Sequence, residues 1–382
     1  MQFLLRGLLA WDLTERESGL GVVYLSFGLG LLVFTPIGGV LADRWAKRTL
    51  LVLGQGTIAL VAAAMGLAAV SNNAQFWMLM VASLAQGAMF GLIGPARVTT
   101  AAELVGHEHL GNAISLTSMS MSLTRIFGPA AAGVLAGVAA FGIGGAYLVA
   151  AVFSVVSTLL TMRLPKLEPQ AATREHPVTE ILDGVRYVRS EKQLKWLIVT
   201  TTIAIMIGFN YVAFLPALVE GELGLSEGHV GFLTTASAIG AVLITAFVAS
   251  RADGPGSIRL MVFCGLAFGV GVVLFGLAQN YLLALAIIGV LGLATNGFMV
   301  LTSSRSMAIS DPSHHGRVQS LMQLAWAGFG IAAAPLGAVA EIIGLRQTIV
   351  GMGLVTFVVV ALYATTVLDD VVSNRKSAEL NL

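Results

Sequence analysis

Gly39-Val40-Leu41-Ala42-Asp43-Arg44-Trp45-Ala46-Lys47-Arg48 separates two long apolar runs and packs one acid and three bases into its last six residues. Such a cluster cannot sit in hydrocarbon, so it marks a tight turn at a membrane surface. Three of the residues are Lys or Arg, and the positive-inside rule therefore puts the turn on the cytoplasmic side. On one side of it, Ser18 to Ala42 carries no charge. On the other, Thr49 to Ala96 carries none either. That second run is more than twice the roughly 20 residues one span needs, and its only polar break is Ser71-Asn72-Asn73-Ala74-Gln75, where two spans turn outside.

The composition agrees. Of 382 residues, 57% are hydrophobic and 11% charged, and the mean hydropathy is +0.87. A soluble domain would carry about 25% charged residues, so the solvent of this chain is the bilayer. Cys264 is the single cysteine, which excludes an intramolecular disulfide. No Gly-Lys dipeptide occurs, so the chain holds no Walker A loop and is not itself an ATP-driven pump. His107 with His109 and His314 with His315 lack accompanying cysteines, and no metal site is expected. No cofactor, catalytic residue or nucleic-acid partner is expected either; the chain reads as a non-enzyme whose partners are the lipid bilayer and a small molecule.

The spans follow in order. Met1 to Leu13 is too short to cross and reads as the second half of a helix, or as a short interfacial helix; nothing in it has the form of a cleaved signal peptide. Span 2 ends at Ala42, spans 3 and 4 share the next run, and Arg97 to His109 forms a cytoplasmic loop. Span 5 covers Leu110 to Ala140, and span 6 returns to Arg163. Residues 164–195 are a charged cytoplasmic linker. There Val178, Ile181, Leu182, Val185 and Val188 recur at helical spacing after Pro177, predicting an amphipathic helix on the inner membrane face or a solvated connector helix. Span 7 runs from Trp196 to Val219, span 8 from Val230 to Ser250, spans 9 and 10 lie between Leu260 and Ser304, span 11 reaches Ala340, and span 12 covers Gln347 to Leu368. Thus 1–163 and 196–368 are two bundles, and 369–382 is a polar cytoplasmic tail.

Seventeen of the 21 Lys and Arg residues fall on the segments this topology makes cytoplasmic; Arg16 and Arg346 fall outside, and Arg6 and Arg125 lie within helices. The two bundles also echo each other. Gly39 to Arg44 is matched by Ala246 to Arg251, Gly111 to Leu116 by Gly316 to Leu321, and Gly128-Pro129-Ala130 by Ala334-Pro335-Leu336, at offsets of 205 to 207 residues. Such duplication places a substrate site at the midplane between halves that rock alternately. Both termini are cytoplasmic if span 1 is complete, and a monomer is expected.

The pattern G-x-x-x-D-R-x-A-K-R at Gly39 to Arg48 resembles the loop signature between helices 2 and 3 of the major facilitator superfamily, with Ala46 where that family usually has glycine. Arg125, Gly128, Pro129 and Gly133 resemble the R-x-x-G-P-A-x-x-G element of the family's exporters, although Ala132 stands where a second glycine is common. With Trp11-Asp12-Leu13-Thr14 ahead of Ser18-Gly19-Leu20-Gly21, the chain is similar to the enterobactin-exporter-like branch of multidrug and siderophore exporters. The resemblance implies an all-α fold of two pseudo-symmetric six-helix bundles with the first helix incomplete. It further implies alternating-access export, in antiport with an ion, of a small amphipathic or anionic compound across a plasma membrane. An importer or facilitator of the same fold, a transport-inactive sensor, or a fragment are the alternatives.

Candidate residues follow. Asp43, with Gly39, Arg44, Lys47 and Arg48, is expected to face the N-terminal end of span 11 and Arg317, where the positive end of the helix dipole favours a carboxylate. The resemblance implies that this contact shuts the inner gate in the outward-facing state; the alternative is that Asp43 pairs only with neighbouring bases. Arg125, midway along span 5, is too costly to face lipid and is expected in a cavity or the bundle interior. Gly128 and Pro129 either serve export or pack against another helix. Arg6, Gln86, Asn210, Tyr211, Asn296 and Gln323 are polar groups on the spans that line the central cavity in the family. Each is a candidate ligand contact or an interhelical hydrogen bond. The family's arginine on helix 4 is absent, with Ser83 in its place. Proton coupling, if it occurs, rests on Asp12, Asp43 or Glu341, and Arg125 is suited to an anionic substrate group.

Overall fold

A computed structural model of the chain describes residues 1–105, 110–138, 141–165, 177–249, 256–311 and 314–379. Among them are thirteen α-helices and no strand: α1 (Gln2–Thr14), α2 (Glu17–Arg44), α3 (Lys47–Val70), α4 (Phe76–Val105), α5 (Leu110–Gly137), α6 (Gly142–Met162), α7 (Pro177–Ser190), α8 (Lys192–Met206), α9 (Gly228–Ala249), α10 (Ser257–Gly276), α11 (Tyr281–Ile309), α12 (His315–Ile343) and α13 (Leu345–Glu379). Ten stretches of these residues are long and apolar enough to cross a membrane. In addition, α5 contributes the shorter apolar run Phe127–Gly137.

The packing follows the repeat. In the first half α2 lies along α4, α3 along α6, and α1 touches α2, α4, α5 and α6; in the second, α9 lies along α11, α10 along α13, and α8 touches α11, α12 and α13. The halves meet through α2 on α12 and α5 on α9, two contacts that an exchange of the halves interconverts. This is the all-α polytopic architecture of two six-helix bundles that the sequence implies.

One face of the molecule collects the sharp reversals. Every described residue with positive φ lies there: Glu15, Asn72, Gly142, Gly224 and Gly344. Asn280 caps α11 on the same face, its side-chain oxygen accepting from the Leu283 N–H at 2.9 Å. This face carries Arg16 and Arg346 and is called the basic-poor face below; the opposite one, with Arg44, Lys47, Arg48, Arg305 and Arg317, is the basic-rich face.

Several helices outrun the apolar spans. α4 continues through Arg97 to Val105, so most of the expected loop is helical, and His107 and His109 lie outside the described residues. α11 passes Arg305, and α13 continues from Leu368 to Glu379, through most of the expected tail. A helix satisfies its backbone whatever its side chains, so charge marks where lipid ends rather than where the helix does. Span 7 departs the other way. Regular helix stops at Met206, followed by a 3-10 turn Gly208–Val212 and a π-helical turn Ala217–Glu222. The break is built in: the Asn210 amide donates to the Phe329 carbonyl on α12 at 3.0 Å and to Met206 O.

The linker helix α7 packs against α12 and α8 of the second bundle. Val188 is buried in a cluster with Leu194, Ile198 and Val318, and Gly184 sits against Arg317 and Leu321 of α12. The Tyr187 ring stacks on His314 at 4.0 Å between centroids, and its hydroxyl accepts from the Asp311 N–H at 2.9 Å. The second bundle thus covers Val188 of its apolar stripe, Val185 stays 37% exposed, and α2 is a further neighbour.

Candidate functional site

Arg6 lies inside the first bundle with 3% of its surface exposed. Its Nη2 donates to Gln86 Oε1 on α4 at 2.7 Å, and Gln86 Nε2 donates to Gln2 Oε1 at 2.6 Å. The guanidinium stands over the Phe27 ring at 4.3 Å and near Phe3 at 5.6 Å. Stacking of this kind offsets part of the desolvation cost but supplies no counter-charge. Arg6 Nη1 is buried without a hydrogen-bond partner, as is Ser83 Oγ, one turn before Gln86 on α4. Sequence reasoning placed Arg6 and Gln86 among cavity candidates separately; the structure brings them together and adds Gln2, Phe3 and Phe27, whose apolar or short-range character gave no signal in the chain.

From Phe3 a run of ring contacts crosses between the halves. Phe3 and Tyr24 each lie 5.1 to 5.7 Å from one another and from Phe329 of α12; Phe329 meets Phe209 at 6.0 Å, and Phe209 meets Trp326 at 5.3 Å and Tyr211 at 6.1 Å. At its far end is a small cavity of about 110 Å³ bounded by Phe209, Tyr211, Trp326, Thr295 and Asn296 of the second half and by Pro129 of the first. Asn296 is held there, its amide donating to Thr245 Oγ1 at 2.6 Å and to Ala241 O at 3.1 Å. Tyr211 and Asn296 thus border the cavity, whereas Asn210 is committed to backbone carbonyls and Gln323 is exposed. Gly128 approaches the first residue of the chain, Met1, rather than the cavity.

The halves are sealed on the basic-poor side. A methyl group on Gly133 would come within 2.1 Å of Gly231 Cα, and one on Gly28 within 2.9 Å of Gly330 Cα, so α5 and α9, and α2 and α12, touch backbone to backbone. The Ser18 hydroxyl and backbone N–H donate to Glu341 of α12 at 2.6 and 3.3 Å, so a carboxylate from one half caps the N-terminus of a helix in the other. Beside this seam Glu220 and Glu227 of the second half lie near Asp12 of the first. Burial, then Glu227 and Asp12, push the Glu220 carboxyl up to about 8, and burial with Asp12 raises Glu227. Nothing in the sequence joined these three acids, since 208 residues separate Asp12 from Glu220.

Toward the basic-rich side the α2 glycine Gly38 packs on Gly91 and Leu92 of its own bundle, and Leu32, Val33 and Ile37 are exposed. Arg44 is exposed; Arg48 and Arg317 are half-buried; Lys47 is buried. Gly39 lies in α2, but its surroundings and the side chains of Asp43 and Arg125 are outside what the structure describes.

The same chain, compared with known proteins, matches the family model of the Major Facilitator Superfamily over residues 2–226 and 197–381. It is 27% identical to the enterobactin exporter EntS of Shigella flexneri over 294 residues, 76% of this chain and 68% of that protein, and 26% identical to the EntS of Escherichia coli O81 over the same shares. Among solved structures it superposes on a nucleoside transporter with a TM-score of 0.72 at 14% identity, covering 95% of this chain and 94% of that one. On a human organic anion transporter the TM-score is 0.64 at 16% identity, covering 90% and 83%. With its duplicated bundles, its seam of paired glycines and a family match running almost end to end, the chain belongs to the Major Facilitator Superfamily of multi-pass membrane transporters.

Proposed function

We propose that the chain is an exporter of a small amphipathic compound bearing an anionic group, working by alternating access in the plasma membrane with the basic-rich face in the cytoplasm. The observation that carries the reading is Arg6, a buried guanidinium with one nitrogen unpartnered and no described carboxylate bound to it. A permanently charged group in a bundle interior is costly unless a counter-charge visits it, and an anionic substrate is that counter-charge. The aromatic run from Phe3 to Trp326 suits the apolar body of such a substrate, and the similarity to enterobactin exporters points to aromatic siderophore-like cargo. With the basic-poor face outside, the seam at Gly133, Gly231, Ser18 and Glu341 is a closed outer gate. The Asp43 gating contact is proposed for the opposite state, in which the basic-rich face closes. The proposed gate on the basic-rich side comprises Gly39, Asp43, Arg44, Lys47, Arg48 and Arg317, and α7 stands beside it. Protons are the proposed coupling ion, and the unit is proposed to act alone.

Transport into inside-out vesicles tests this. Catecholate siderophores and anionic dyes should accumulate against their gradient in vesicles that carry the chain, and collapse of the proton gradient should abolish accumulation. Uptake of neutral and cationic compounds with equal rates, unaffected by Arg6→Gln, would contradict the reading.

A further inference from the structure

A second cavity lies away from the midplane. It holds about 830 Å³ on the flank of the first bundle at the basic-poor face, between Leu9, Asp12 and Leu13 of α1, Val70 and Asn72 at the end of α3, and Phe141 to Phe153 at the start of α6. One second-half residue, Glu227, completes it. Val152 and Phe153 are 61% and 63% exposed on the span that α6 makes, so the walls continue into the lipid-facing surface. The volume suits a drug-sized molecule. Its lining has two charged groups, Asp12 and Glu227, both acids, and no Lys, Arg or His.

We infer that this cavity is a binding site for a hydrophobic monocation that enters from the adjacent lipid leaflet, lays its apolar body against Val70, Leu148, Val149 and Phe153, and sets its charge between Asp12 and Glu227. Charge decides the class. A cation gains from both carboxylates, whereas an anionic amphiphile is repelled by both and the phosphate of a zwitterionic lipid offsets what its ammonium gains. The raised carboxyl of Glu227, pushed up by burial and by Asp12, marks a place where a positive charge is wanted. Asp12 belongs to the first half and Glu227 to the second, so the bound cation bridges the seam. It binds the closed state of this face in preference to the open one and shifts the population toward it. The site is separate from the buried arginine and inhibits transport rather than carrying cargo. It holds whether or not the exported compound is anionic, needing only that the two halves part at this face.

Equilibrium binding of labelled tetraphenylphosphonium to the full chain in phosphatidylcholine nanodiscs tests the inference. Saturable binding is expected, competed by dodecyltrimethylammonium and not by dodecyl sulfate. It should weaken at least tenfold in Asp12→Asn/Glu227→Gln and, independently, in Val149→Trp, which fills the cavity while leaving both acids. Thermal unfolding identifies a variant that has lost its fold; the second variant then carries the test. Spin labels on Asn73→Cys and Ser226→Cys in a Cys264→Ala background should show the separation held short by the cation. Absence of saturable binding, equal affinity in both variants, equal competition by dodecyl sulfate, or displacement by phosphatidylethanolamine nanodiscs would overturn it, the last by giving the cavity to lipid.

Discussion

At the scale of single residues, Arg6 sets the energetics of the first bundle. Its guanidinium trades water for the Gln86 side-chain oxygen, the Gln2 carbonyl at 3.5 Å and two ring faces, and Nη1 remains bare. Replacing a buried, incompletely paired charge by a neutral group of similar shape is often neutral or stabilising. Arg6→Gln should therefore keep or raise the thermal stability while transport of an anionic substrate falls roughly ten- to a hundredfold, the worth of a hydrogen bond to a charged group. Melting curves and initial transport rates measured on one preparation separate the two effects. Arg6 itself was legible in the sequence as an intramembrane base. Its partners were not, because Gln2, Gln86 and Phe27 come together only when α1, α2 and α4 pack. Asp12 was legible as an acid near a span end, yet its role beside Glu220 and Glu227 depends on a contact between halves.

Glu220 makes a second residue-scale prediction. Its folded value of about 8 lies above its ordinary value of 4.5. A raised acid contributes stability that is fully present below the ordinary value and is lost as pH rises through the raised one. Closure of the basic-poor seam should accordingly weaken between about pH 5 and 8. Glu220→Gln should flatten that dependence, as read by cysteine accessibility at Asn73→Cys across the same range.

At the scale of elements, glycine determines what can touch. α5 and α9 meet at Gly133 and Gly231 with no room for a methyl group, so Gly133→Val should hold the basic-poor seam apart. A loss of about 1.4 kcal/mol there lowers the closed-to-open ratio tenfold, and the same accessibility measurement registers it. Loss of the Glu341 cap in Glu341→Ala should act in the same direction but more weakly, by about 0.3–1 kcal/mol, since the contact is exposed. The sequence displayed Gly133 as part of a motif and left Gly231 unnoticed in an Ala- and Gly-rich helix. The linker shows the opposite limit. Its helical period was evident from Val178 to Val188, but periodicity says only that a helix has an apolar face, not what covers it. Here Val318 and Leu194 cover Val188, while Val185 stays exposed. The break after Met206 was equally hidden, because an apolar run reads as one helix whether or not Asn210 diverts the backbone.

At the scale of the whole molecule, duplication explains the contacts between the halves. Exchange of the halves maps α2 on α12 onto α9 on α5, so the interface is built chiefly from two equivalent helix contacts. The multi-pass, all-α character, the order of the helices and the repeat were readable, since lipid demands apolar runs of fixed length and charge is costly within them. The state of the gate was not readable, because open and closed forms share one sequence and differ only in which small-residue faces are pressed together. The central claim is that the halves rock, closing one face as the other opens. Distances between spin-label pairs test it most directly, Asn73 with Gln279 at the basic-poor face and Thr49 with Arg259 at the basic-rich face, each pair introduced as cysteines in a Cys264→Ala background. With Gly133→Val the first distance should lengthen and the second shorten together. Lengthening of the first pair while the second stays fixed would contradict the account.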